Sequence, residues 1–300
     1  MQGIHLYKRS IVLQPLLTSL AVMVLVFSSC KKYEEEIVHG NTAPPDTTVD
    51  EVTIENYVTK VYISVLGREP DSSEKSFGVG LLRSENISMN SRNHFLDTVF
   101  VNPEFKDKFY ERARLDLLQG LDTAMISQYI SIFQLLLSDS SNILLWSQYE
   151  MEMDRLLEMR EIPDSLAAGQ ISYIEVHRRC VNNLFYDQIN MGSFNFVVSM
   201  FQNFLNRYPT NSEQMAGVNM VNGASAILFL KAGQSKSDFI TIFFSSEDYY
   251  EGQVRNLYSQ YLFRDPSTIE MSNGTLLYMN ADDYIQLQKS ILSTDEYIGI

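Results

Sequence analysis

Residues 66–74 read LGREPDSSE, and two later stretches repeat the pattern: residues 205–213 read LNRYPTNSE, and residues 262–270 read LFRDPSTIE. All three fit L-x-R-x-P-(D/T/S)-x-x-E. Proline ends a helix, because the residue before it is driven out of the α region. The Asp, Thr or Ser that follows is a typical N-cap, and the Glu three residues later completes a capping box. The pattern therefore predicts a helix, a proline corner and a capped second helix, three times over.

The similarity extends to both sides of each motif. A Val and an aromatic residue stand eight and four positions before the Leu, on one face of the predicted helix; the pairs are Val58 and Tyr62, Val197 and Phe201, and Val254 and Tyr258. Each unit then closes on a capped, acidic and aromatic signature, at residues 102–105, 246–249 and 294–297. Because repeats fix an architecture, we expect the second and third units side by side. The helices of 106–190 separate the first unit from them.

The motif residues form a structural set with one open question, the role of the arginine. Its guanidinium either spans the corner, pairing with the capping Glu or with backbone carbonyls, or binds an anion. Three copies, each beside a proline and a cap, favour the structural role. The set comprises Arg68, Pro70, Glu74, Arg207, Pro209, Glu213, Arg264, Pro266 and Glu270.

Apolar residues recur at spacings of three and four along most of the chain, which is typical of amphipathic helices. A short strand or a buried helix fits residues 226–230 equally well. We therefore predict an all-α fold, a multi-helix array built from repeated helix–Pro corner–capped helix units after a flexible N-terminal tether. The predicted helical faces lie in 51–66, 104–119, 123–137, 143–158, 172–189, 193–205 and 247–263.

The N-terminus has the pattern of a bacterial lipoprotein signal. Lys8 and Arg9 precede an apolar stretch at 11–27, and two serines lead to Cys30. This arrangement is typical of a secretory signal, and the residues before Cys30 resemble a lipobox. An uncleaved membrane anchor is the alternative, but the apolar stretch is short for a span. We predict a signal peptide at 1–29, with Cys30 as the lipidation site and the attachment to the membrane.

Residues 31–36 read KKYEEE and resemble the surface-export signal of Bacteroidota-type lipoproteins. The alternative is a solvated tether, which is what most charge runs are. An export signal at this position predicts an outer membrane lipoprotein that faces the cell exterior. Residues 30–50, rich in turn formers, are predicted to be the lipidated cysteine and a flexible linker. Two helical regions follow, 51–190 with the first repeat and 191–300 with the second and third.

At the repeat the chain resembles an uncharacterised helical domain of bacterial surface and secreted proteins. That domain has an aromatic-led helix, then L-G-R-x-P-D, and a closing S-x-E-(F/Y). The phycobilisome linker domain has a similar signature. The copy at 58–105 matches best, and the other two lack the Gly. The resemblance implies a helical module for assembly or presentation, an analogy at the level of the fold.

Composition and motifs restrict the possible chemistry. The formal net charge is −14, which argues against a nucleic-acid partner because such a ligand requires a basic surface. The two cysteines allow no intrachain disulfide if Cys30 carries lipid, since Cys180 is then alone. Zinc, calcium, haem and nucleotide-loop motifs are absent from the sequence. We therefore expect no metal site and no cofactor.

The densest polar cluster is the candidate binding surface, and it is predicted to lie on one helix. A Cys–His pair, Cys180 with His177, is an alternative nucleophile and base, but side chains of one helix seldom converge on a single substrate atom. The aromatic residues are predicted to be core, with Tyr249 and Tyr250 the strongest candidates for exposed sugar-stacking rings. The candidate binding residues are His177, Arg178, Arg179, Tyr186 and Asp187.

The leading functional hypothesis is a non-enzymatic, surface-tethered helical module that binds a protein partner or serves an assembly at the outer membrane. A cell-surface hydrolase or carbohydrate-processing enzyme is the first alternative. The second is a soluble-ligand-binding accessory of an uptake system. A deep pocket with several perturbed carboxylates would favour the enzyme, a broad apolar patch the partner-binding module, and a closed aromatic cavity the ligand binder.

Overall fold

The first helix begins at Glu51, where the Asp50 carboxylate accepts a hydrogen bond from the backbone N–H of Thr53 at 3.0 Å. The computed structural model describes residues 48–300, which form one compact unit. The predicted signal peptide, Cys30 and the linker up to residue 47 lie outside the described residues. Within 48–300, no helix is long and apolar enough to cross a membrane.

Helices dominate this part of the chain, so the prediction of an all-α fold is confirmed. The helices are α1 Glu51–Leu66, α2 Ser72–Ser84, α3 Met89–Phe100, α4 Glu104–Leu118, α5 Thr123–Ser138, a 3₁₀ helix Ser140–Leu145, α6 Trp146–Arg160, α7 Ile162–Ala167, α8 Tyr173–Val181, α9 Leu184–Ile189, α10 Ser193–Leu205, α11 Asn211–Val221, α12 Lys236–Phe244, α13 Glu247–Leu262, α14 Thr268–Ala281, α15 Tyr284–Leu292 and α16 Asp295–Ile298.

A small antiparallel hairpin resolves the open question at 226–230. Strand β1, Ala226–Leu228, pairs with β2, Lys231–Gly233, with Ile227 opposite Ala232. The two residues between the strands, Phe229 and Leu230, have φ values of 48° and 62°. Positive φ at both central residues is what a tight two-residue hairpin turn requires.

The prediction of one helix over 172–189 is wrong, because the chain breaks after Val181. The Asn183 side chain stops the helix and starts the next one. Its Oδ1 accepts from the backbone N–H groups of Phe185 and Tyr186, at 3.0 and 3.1 Å. An asparagine that caps its own downstream helix competes with helix continuation. The face drawn from His177 through Asp187 is therefore divided between α8 and α9.

The helices before and after each proline corner approach each other closely at a Val and a Gly. A Cβ added to Gly217 would lie 2.9 Å from both methyl groups of Val197. One added to Gly274 would lie 2.9 and 3.0 Å from those of Val254. In all three units the glycine stands four residues after the capping Glu. The glycine removes the side chain that would hold the two helices apart.

Helices α10 and α13, which precede the second and third proline corners, pack against each other. A Cβ on Gly252 of α13 would lie 2.0 Å from the carbonyl oxygen of Phe204. Helix α1 also contacts the C-terminal helices α15 and α16, although more than 200 residues separate them along the chain. The hydroxyl of Tyr57 donates to the carbonyl of Leu292 at 3.1 Å, and Lys60 donates to that of Tyr297 at 2.8 Å.

Candidate functional site

All five N–H donors of the Arg68 guanidinium are engaged. Two hydrogen bonds reach the capping Glu74 at 2.7 and 2.8 Å, and two reach Glu104 at 2.7 and 2.9 Å. The fifth donor bonds the carbonyl of Glu69 at 3.0 Å. Paired parallel bonds between a guanidinium and a carboxylate are the strongest geometry available to the pair. The first corner is therefore clamped between two carboxylates.

The second and third corners carry the same arrangement. Arg207 binds Glu213 at 2.9 and 2.7 Å and Asp248 at 2.9 Å. Arg264 binds Glu270 at 2.9 and 2.7 Å, and Glu296 at 2.7 and 2.6 Å. Each guanidinium also lies over the aromatic ring that precedes the motif, at 5.6 Å from Tyr62, 5.0 Å from Phe201 and 5.2 Å from Tyr258.

In these contacts the motif arginines pair with the capping Glu, which is the partner that the first of the two alternatives assigned to them. The capping Glu was an expected partner, but the second carboxylate was not. It comes from the closing signature, at Glu104, Asp248 and Glu296. The signal was in the sequence, since each of these acids stands directly before the aromatic residue of its signature. The arginine thus connects the corner to the helix that follows the unit.

The charged residues of the predicted binding surface are paired with neighbours and do not converge. Arg178 and Arg179 both bind Glu175, at 2.6 and 2.9 Å. Arg179 also donates to the carbonyl of Glu158 at 2.9 Å, which fastens α8 to α6. Asp187 accepts two hydrogen bonds from Lys236, at 2.5 and 2.7 Å.

Tyr186 is fully buried, and its hydroxyl accepts a hydrogen bond from Asn203 at 3.0 Å. Cys180 is also fully buried, and burial raises the pKa of its thiol to about 12. The thiol therefore stays protonated at neutral pH, so the alternative of a Cys–His nucleophile is not supported by its environment.

His177 belongs to a different environment, the wall of a pocket. Its ring packs in a tilted orientation against Phe109 and Phe204, with centroids 5.2 Å apart in both pairs. A hydrogen bond of 2.8 Å joins its Nδ1 to the hydroxyl of Tyr249. Burial lowers the pKa of His177 to about 4, so the imidazole is neutral at pH 7. The expectation that Tyr249 is an exposed stacking ring is wrong, because Tyr249 is fully buried.

The pocket has a volume of about 360 Å³ and lies between α4, α8, α10, α13 and α15. One wall carries Arg112 and Asp116, and Arg112 donates to the carbonyl of Ser64 at 2.7 Å. Desolvation raises the pKa of Asp116, and the charge of Arg112 opposes this. The remaining lining residues are Val65, Phe105, Phe109, Ala113, Leu117, His177, Asn203, Phe204, Gln253, Asn256, Leu257, Gln260, Tyr261, Tyr284 and Gln288. Sequence reasoning found only His177 among them.

A second candidate surface is the exposed side of α5 and the 3₁₀ helix. Helix α5 packs chiefly against α6 and buries only Ile126 and Ile130. Its opposite side and the following 3₁₀ helix expose a set of large apolar side chains. We call this set the hairpin face, after the helical hairpin of α5 and α6. The hairpin face comprises Met125, Ile132, Leu135, Ile143 and Leu144, with exposed fractions of 43%, 41%, 70%, 60% and 93%.

No group of three or more His, Cys, Asp or Glu side chains within residues 48–300 is arranged to hold a metal ion. Comparisons with family models, curated proteins and solved structures found no match to the chain.

Proposed function

We propose that the protein is a non-enzymatic, lipid-anchored helical module that binds a protein partner at the outer membrane through the hairpin face. The hairpin face is the observation that carries this proposal. Five large apolar side chains are exposed within residues 125–144, and a concentration of exposed apolar side chains is typical of a binding surface. Leu135 and Leu144 are 70% and 93% exposed, although both are residues that a core would normally enclose.

The low charge of the segment that forms the hairpin face supports a partner of matching chemistry. Residues 123–149 contain a single charged side chain, Asp139, in a chain that is 20% charged. A charged group buried in an interface without a counter-ion is costly, so an uncharged surface suits a partner with an apolar, uncharged helical surface. Helix α5 also presents Ser127 and Ser131 beside the apolar residues, and small side chains allow a second helix to approach closely.

We infer that the rest of the fold is a rigid array of three copies of one unit, which carries the hairpin face. The shared capping boxes and arginine clamps at Asp71, Thr210 and Ser267 support this inference. So does the Val–Gly contact that recurs in each unit.

The location is part of the proposal. The signal at 1–29, the lipidation site Cys30 and the KKYEEE stretch at 31–36 support an outer membrane lipoprotein that faces the cell exterior. Protease added to intact cells should then remove the folded unit. Full protection of the unit until the outer membrane is permeabilised would contradict an exterior location.

Partner binding is tested by isolating the lipidated protein from crosslinked intact cells as wild type, Leu135→Asp and Ile269→Asp. Both side chains are exposed, at 70% and 74%, so neither change should disturb the core. We expect one outer membrane protein in stoichiometric amount with the wild type and with Ile269→Asp, and its loss with Leu135→Asp. Equal recovery with both variants, or no partner with the wild type, would contradict the proposal.

A further inference from the structure

The pocket between α4 and α13 has the dimensions and lining of a ligand site that the partner-binding proposal does not use. Its volume of about 360 Å³ lies within the usual range for ligand pockets, about 300–1,000 Å³. Apolar and aromatic walls with a few polar groups are typical of such sites.

The lining carries no net charge at neutral pH. Arg112 and Asp116 are its two formally charged side chains and have opposite signs. His177 also lines the pocket and could carry a charge near neutral pH. Burial among aromatic rings keeps its imidazole neutral. The two opposite charges stand one turn apart on α4, so each offsets the attraction that the other would offer to a charged ligand. The pocket therefore has no net electrostatic preference for an anion or a cation, which suits a neutral ligand.

Five amide side chains line the pocket, and amides both donate and accept hydrogen bonds. Gln288 is the most informative of them because it is only 2% exposed. Its Oε1 accepts a hydrogen bond of 2.6 Å from the hydroxyl of Tyr261, whereas its Nε2 has no partner. A buried donor without a partner is costly. Gln288 lines the pocket, so a rotation of its side chain would present the enclosed Nε2 to an acceptor that a ligand brings. The other four amides are Asn203, Gln253, Asn256 and Gln260.

Aromatic rings supply the remaining surface. Phe109 and Tyr284 meet edge to face, with centroids 5.4 Å apart, and Phe105 and Tyr261 extend the same lining. Hydroxyl groups, which are donors and acceptors at once, match amides. The C–H faces of a saturated ring match aromatic carbon. Neutral sugars combine these two features in one molecule.

We propose that this pocket binds a neutral sugar unit, whose hydroxyls pair with the amides of Gln288 and Gln260 while its ring lies against Phe109 and Tyr284. The proposal is independent of the hairpin face, which lies on α5 and the 3₁₀ helix.

The test is titration of the full chain with glucose, galactose, maltose and cellobiose, followed by calorimetry and by ligand-detected NMR. Glucuronate and glucosamine are the charged comparators. We expect saturable binding of at least one neutral sugar with a dissociation constant of about 1 mM or lower, and weaker binding of both charged sugars. No saturable binding of any neutral sugar, or tighter binding of a charged one, would overturn the proposal.

Three variants locate the site. Gln288→Leu removes the unpartnered donor and should weaken binding about tenfold. Gln260→Ala, at an exposed rim position, should weaken it severalfold without risk to the fold, so it decides the matter if Gln288→Leu fails to fold. Gln286→Ala changes an exposed amide of the same helix α15 that does not line the pocket, and should bind as the wild type does. Unchanged affinity with Gln260→Ala would place the sugar elsewhere and overturn the assignment.

Discussion

Gly78 lies at the closest approach of the helices in the first unit, and replacing it by alanine should destabilise the protein. A Cβ at this position would lie 2.8 Å from Cε2 of Phe95, and 3.1 and 3.2 Å from the two methyl groups of Val58. Phe95 and Val58 are both fully buried. Neither can move aside without displacing other core side chains, because protein interiors are close-packed.

Two opposing effects set the size of the change. Alanine is the better helix former, by about 0.8–1.0 kcal/mol. Extra volume in a filled core costs about 1–3 kcal/mol. The expected net effect of Gly78→Ala is therefore a loss of about 1 kcal/mol. Gly80 is the matched control, since it lies in the same helix α2 and an added Cβ would meet no atom within 4 Å. Gly80→Ala should gain about 1 kcal/mol.

Urea unfolding of the purified wild type and both variants measures the difference, which should be about 2 kcal/mol with Gly80→Ala the more stable variant. Equal stability of the two variants would refute the close approach of α1 and α2 at Val58. Alanine at Gly217 or Gly274 should also destabilise the protein, because the added Cβ would lie 2.9 Å from Val197 or Val254.

Three further predictions follow from single residues. Phe263 is 86% exposed and has a φ of 55°, in the left-handed region. Phe263→Gly should relieve this strain and raise the free energy of unfolding, measured in urea, by about 1 kcal/mol. A lower free energy of unfolding would contradict this. Hydrogen bonds from Arg264 lower the pKa of Glu270 from 4.5 to about 2, so its carboxylate stabilises the fold above pH 4.5 and progressively less as the pH falls towards 2. The difference in free energy of unfolding between the wild type and Glu270→Gln, measured in urea, should therefore shrink between pH 4.5 and 2. A difference that stays constant over this interval would exclude the linkage. Cys180 is buried, and its thiol has a pKa of about 12. In a Cys30→Ser variant, it should therefore resist thiol reagents until the protein unfolds. Rapid labelling of the native protein would contradict its burial.

Local features of the fold could be predicted because they depend on residues close together in the sequence. Helical spacing located α1, α4 and α5 to within a residue or two, and the caps at Asp71, Thr210 and Ser267 follow from the motif alone. The break at Asn183 was missed because the apolar spacing continues across it, whereas a side-chain cap depends on local backbone geometry.

The pocket could not be predicted, because its lining comes from helices far apart in the chain. Asp116 and Gln288 meet only after α4 and α15 have packed around the same space. The hairpin face was missed for a related reason. Apolar spacing over 123–137 predicts that one side of α5 is buried, but it does not say whether the other side has a partner. The contact between Val58 and Gly78 could not be predicted either, because it depends on the angle at which α1 and α2 cross.

The most direct test of the partner-binding account is a photocrosslinking amino acid placed at residue 135 or residue 269 of the lipidated protein in intact cells. Leu135 belongs to the hairpin face, and Ile269 is an exposed apolar residue on α14 with similar exposure. The account predicts that position 135 crosslinks in high yield to one outer membrane protein, and that position 269 does not. Crosslinking from position 135 only to a second copy of this chain or to lipid, or no crosslink at all, would contradict it.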